Sequence, residues 1–85
     1  MYNGYKNFQT WSIFAYISNE ESVYFHYQAV LKELETDDKT AEFARILQYD
    51  FTDLPEDIKS PYNKILEAAL EDVDFLEVAK AFMDN

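Results

Sequence analysis

Carboxylates are the one chemically capable side-chain type that this 85-residue chain holds in quantity, with 17 Asp and Glu against 7 Lys and Arg. Asp50, Asp53, Glu56 and Asp57 crowd one stretch, and oxygen ligands at that density suit a hard cation. A calcium loop of the EF-hand kind needs oxygens at alternate positions, glycine at the sixth and glutamate at the twelfth. Counted from Asp50, the third residue is Thr52, the fifth Leu54 and the sixth Pro55, so the pattern fails. His26 is the single histidine and there is no cysteine, which removes Cys–His zinc sites and disulfides. One glycine cannot form a loop that cradles phosphate, and no Gly-x-Ser-x-Gly turn presents a nucleophile. These residues point away from an enzyme, and they imply no cofactor and no dedicated metal.

Two rows of carboxylates have a different potential. Glu33, Glu35, Asp38 and Glu42 form one row, and Glu67, Glu71, Asp74 and Glu77 the other. Carboxylates spaced along helices can imitate duplex DNA, which presents one charge per roughly 1.7 Å of axis. A solvated helix face has the same pattern, and acidity also keeps a protein soluble. The charge is unevenly placed: residues 1–30 hold Lys6 against Glu20 and Glu21, or -1, which leaves -9 of the net -10 for residues 31–85. Such a surface repels nucleic acid and anionic membranes and attracts basic proteins. Direct binding of nucleic acid or membrane is therefore not expected.

The elements that would position these residues are helical. Gly4, Pro55 and Pro61 are the only helix breakers, so the interior favours helix throughout. The fold class expected is all-α, a single domain of four to five short helices over residues 1–85, with an arm at 1–7. A first helix runs over about Phe8–Ile17, capped by Asn7. A second runs over Glu20–Glu35, capped by Asn19, with Val23, Tyr27, Val30, Leu31 and Leu34 as its apolar stripe. Tyr24, Gln28, Lys32 and Glu35 fall on its other side, and His26 lies at the surface or its boundary.

An Asp in the 36–39 break caps a third helix to about Tyr49, with Phe43, Ala44 and Leu47 inward and Phe51 as an extension. Residues 50–59 read as a loop. Ser60 and Pro61 then start a fourth helix, Ser as N-cap and Pro at the first helical position, where its missing N–H costs nothing. Its inward residues are Tyr62, Ile65, Leu66, Ala69 and Leu70. Asp72 or Asp74 restarts the chain into a last helix with Phe75, Leu76, Ala79, Phe82 and Met83 inward.

The first helix stands apart, because from Trp11 to Ile17 only Ser12 is polar. A helix apolar on nearly all sides is either central in a bundle or leaves rings outside for a partner. Trp11 is expected to anchor the core and pin the arm; Tyr2, Tyr5 and Tyr16 are the exposed rings of the alternative.

The opening stretch resembles the start of a family of small, uncharacterised proteins of phages, plasmids and other mobile elements. The matching residues are Tyr2, Asn3, Gly4, Tyr5, Asn7, Phe8, Thr10 and Trp11, then Asn19-Glu20; Gln9 stands where the family has glutamate. The end of the chain is similar to a second family motif through Ala69, Leu70, Val73, Asp74, Phe75, Glu77, Val78 and Ala79. The resemblance implies a mobile-element accessory protein with no established activity. By analogy with other small acidic phage proteins, it would bind and inhibit a host protein, most sharply as an anti-CRISPR or anti-restriction inhibitor whose acidic helices occupy a nucleic-acid-binding defence effector. The alternative is a structural or assembly module of a phage or plasmid complex, with a homodimer through the first helix. No run is long and apolar enough to span a membrane and no signal peptide is discernible, so the expected location is the host cytoplasm.

Overall fold

Asn7 begins the first helix as its spacing predicts: its backbone is extended and its side chain accepts the N–H of Thr10 at 2.8 Å. The computed structural model describes residues 1–53 and 62–84. Five helices follow in order: α1 Phe8–Asn19, α2 Glu21–Glu33, α3 Lys39–Thr52, α4 Tyr62–Glu71 and α5 Phe75–Met83. The all-α expectation holds. Ser60 and Pro61, and with them the start signal assigned to the fourth helix, lie outside the described residues.

Several boundaries move for physical reasons. Asn19 does not cap α2 but closes the last turn of α1, and Glu20 alone joins the two helices. Its extended backbone sends its N–H to Tyr16 O at 3.1 Å and accepts Tyr24 N–H at 2.8 Å, so one residue ends one helix and starts the next. Asp38 caps α3 through the Ala41 N–H. That helix runs past Tyr49 to Thr52, so residues 50–52 of the expected loop are helical, and its residues 54–59 lie outside the described residues. Two contacts hold the extra turn: Asp50 accepts the Tyr27 hydroxyl at 2.8 Å, and Phe51 packs edge-on to Tyr16 at 6.2 Å. Asp74 caps α5 through the Glu77 N–H.

The central helix is α5 rather than α1. Phe75, Val78, Ala79 and Phe82 of α5 are buried, against Phe43 and Leu47 of α3, Tyr27 of α2 and Ile17 of α1. Val78 faces inward and Leu76 outward, the reverse of the expected stripe. Tyr24, expected outside, lies on Phe82 with ring centroids 5.5 Å apart. Phe43 and Phe82 meet at 5.5 Å and Tyr27 and Phe43 at 5.8 Å, so aromatic rings form much of the core. Ile65 and Leu66 of α4 are exposed, not inward.

The arm is a tight turn. Tyr2 and Tyr5 exchange both backbone hydrogen bonds at 2.8 Å, with Asn3 at φ 47° and Gly4 at φ 86° between them. Two successive positive φ values define the turn that Asn-Gly favours. Trp11 is half-buried and lies against Tyr2 and Phe8. It holds the arm, as expected, but it is not part of the buried core. The buried residue of this segment is Thr10.

Candidate functional site

Thr10 ties the two ends of the chain together. Its hydroxyl donates to Asn7 Oδ1 at 2.6 Å and accepts the Asp74 N–H at 3.0 Å. Asn7 Nδ2 donates to Asp72 O at 2.7 Å, and the Lys6 N–H donates to Glu77 Oε1 at 2.8 Å. The N-terminal and C-terminal motifs thus meet in one hydrogen-bonded clasp that seats the start of α1 on the start of α5. Asp74 and Glu77 therefore have structural work before any partner arrives.

Beside the clasp runs a trough. One wall is α3, whose Asp38, Glu42, Arg45, Gln48 and Thr52 recur at helical spacing. The other is the end of α4 and the turn into α5, with Glu67, Glu71, Val73, Asp74 and Phe75. Two adjoining depressions of about 780 and 450 Å³ share Gln48, Val73 and Phe75. Among the described residues, five carboxylates line it against two cations, Lys6 and Arg45.

The structure brings together Asp38 and Glu42 from one predicted row with Glu67, Glu71 and Asp74 from the other. Glu33 and Glu35 lie exposed around the end of α2 and do not line the trough, although Thr36 beside Glu35 does, and Glu77 lies on the Lys6 side. Within the trough, Asp38 caps α3, and Glu42 pairs with Arg45. The side chains of Glu67 and Glu71 are exposed and make no hydrogen bond or ion pair among the described residues. They are the carboxylates most available to a partner.

A second surface is apolar. A groove of about 390 Å³ opens between α1, the end of α3 and α4; its lining includes Phe8, Ile13, Phe51, Leu66 and Ala69, and none of the described lining residues is charged. The three tyrosines predicted as a partner face are not gathered there. Tyr2 is exposed on the arm against Phe8, and half-buried Tyr5 stacks on Phe14 at 5.2 Å. Tyr16 is exposed beside Phe51. Burial and the Glu77 carboxylate raise the Tyr5 phenol pKa. Tyr27 is raised further, by burial first and then by its bond to Asp50.

Sequence reasoning missed Phe8 and Leu66 as surface residues, whereas Phe51 is half-buried against the core as expected. The available signal was the width of the α4 apolar set, too broad for one packed face. His26 is exposed, as expected. Among the described residues no group of carboxylates and histidine is placed to hold a metal ion. No described helix is long and apolar enough to cross a membrane. Comparison with protein-family models, with curated proteins and with solved structures gives no significant match to this chain.

Proposed function

We propose that this chain is a non-enzymatic binding module that occupies a basic, nucleic-acid-binding surface of a host protein. Its sharpest form is inhibition of a CRISPR or restriction effector in the host cytoplasm. The observation that carries the reading is the trough, in which carboxylates from two distant stretches of sequence line one surface. Acidic groups held on helices present negative charge at fixed spacing, as a phosphate backbone does. Opposite charge on the partner adds steering and specificity. The mobile-element setting rests on the resemblance of the two end motifs.

The alternative of an assembly module is favoured by a separate observation, the groove beside α1, whose described lining residues carry no charge. Salt separates the two readings, because a charge-matched contact weakens with ionic strength and an apolar one does not.

The test is a pull-down from host lysate with the wild-type chain and with Glu67→Lys/Glu71→Lys. The captured protein should bind nucleic acid, should be released by salt and by competing duplex DNA, and should be lost with the double variant. A Glu33→Lys/Glu35→Lys control should keep it. Capture of the same protein by all three chains, insensitive to salt, would falsify the reading.

A further inference from the structure

We propose that a hollow between α1, α2 and the end of α3 binds an alkylated ammonium head group. The hollow measures about 290 Å³, at the lower end of the range for small-ligand pockets, about 300–1,000 Å³. It shares no described lining residue with the trough. Four of its seven described lining residues are rings, Tyr16, His26, Tyr27 and Phe51, so its walls are aromatic and not merely apolar. Tyr16 and Phe51 stand at 88° with centroids 6.2 Å apart, and His26 and Tyr27 at 64° with centroids 4.8 Å apart. The rings therefore border the hollow at steep angles and not as one flat stack.

Aromatic rings attract a cation lying within about 6 Å of the ring, through the electron-rich face. Asp50 adds a full negative charge to the same wall, and no lysine or arginine is among the described lining residues. Its Oδ2 accepts the Tyr27 hydroxyl at 2.8 Å, which fixes the carboxylate against the rings. Tyr27 is 5% exposed and packs on Phe43 at 5.8 Å, so it forms a rigid floor, while Tyr16 is 49% exposed and forms an accessible rim. Rings and carboxylate together select a cation.

The alkyl groups follow from the walls. A bare ammonium brings three N–H donors, which aromatic and aliphatic walls leave short of acceptors. Methyl groups replace those donors with apolar surface that the rings and Val23 cover. A phosphate attached beside the head is opposed by the net charge of -10, which sets phospholipid head groups aside. A methylated side chain and a free alkylammonium compound present the same head.

Titration of the full chain with tetramethylammonium chloride, followed by NMR of the ring protons, tests this. Saturable shifts of the Tyr16 and Phe51 rings are expected, with a Kd on the order of 1–10 mM. tert-Butanol, close in shape but neutral, and sodium chloride at equal ionic strength should give no saturable shift. Tyr16→Ala should weaken binding by about threefold to tenfold and Tyr16→Phe should keep it, because the attraction is to the ring. Asp50→Asn should weaken it by about twofold to fivefold, as for an exposed charge. If Tyr16→Ala loses helical circular dichroism, Asp50→Asn decides in its place. N-acetyl trimethyllysine amide separates the two sources: tighter binding than the bare head assigns the site to a protein side chain, equal or weaker binding to a free cation. Glu67→Gln/Glu71→Gln should bind the cation nearly as the wild-type chain does, so this proposal and the trough reading fail separately. Equal shifts with tert-butanol or sodium, or binding indifferent to both Tyr16 and Asp50, overturn the proposal.

Discussion

The buried Thr10 hydroxyl gives its proton to Asn7 and takes the Asp74 N–H, so Thr10→Val leaves the Asp74 N–H short of a partner and Asn7 Oδ1 with the Thr10 backbone N–H alone. Valine keeps the shape. The expected loss is about 1–3 kcal/mol of stability by urea denaturation, with Thr10→Ser recovering much of it. A silent Thr10→Val would show that the clasp is incidental. Tyr27 makes a second residue-scale prediction. Its phenol is raised from 10.0 by burial and by Asp50, so the folded state holds the proton that the unfolded chain releases first. Its contribution is fully present below pH 10.0 and is lost as pH climbs from there towards the raised folded value. Tyr27→Phe should flatten the fall in stability above that pH, and an unchanged slope would count against a phenol raised by burial and Asp50.

The helices explain which parts of this arrangement were legible in the sequence. Caps are local chemistry, a side-chain oxygen meeting an N–H three residues on, so Asn7 could be found from position alone and Asp38 and Asp74 each narrowed to one of two neighbouring aspartates, while Asn19 was misplaced. The inward faces of α2 and α3 followed from periodicity, except that Tyr24 of α2 also turns inward. Which helix is central did not, because centrality depends on how many neighbours a helix has and not on its own composition. Helix α1 is the more uniformly apolar, yet α5 buries four residues between α1 and α3. The clasp was illegible for the same reason, since its partners lie 64 and 65 residues apart. The trough was half legible: its carboxylates were visible, their convergence across α3 and α4 was not. Phe82→Ala should accordingly cost about 3–5 kcal/mol, near the whole stability of so small a domain, and Trp11→Ala clearly less. Equal losses by thermal or urea unfolding would restore Trp11 to the core.

Across the whole molecule, a net charge of -10 opposes the compact state, and α4 concentrates that opposition. Glu67 and Glu71 stand one turn apart, where like charges cost a helix about 0.2–0.5 kcal/mol. Glu71 also ends a helix with no basic residue in its last turn, the end where the helix dipole disfavours a negative charge by about 0.3–1 kcal/mol. Neither side chain recovers this through a described hydrogen bond or ion pair. An unfavourable pair held at the mouth of a trough is what a binding surface looks like when affinity and stability pull apart. Glu67→Gln/Glu71→Gln should therefore raise the free energy of urea unfolding by about 0.5–1.5 kcal/mol from the two effects together. The same variant should lose the captured partner. The stability gain should shrink with added salt, because both penalties are electrostatic and exposed. Arg45→Gln, on the opposite wall, removes a cation that pairs with Glu42 and should not reproduce the gain. A double variant that is less stable than the wild-type chain would show that these glutamates support α4, and one that is more stable yet still binds would move recognition away from the trough.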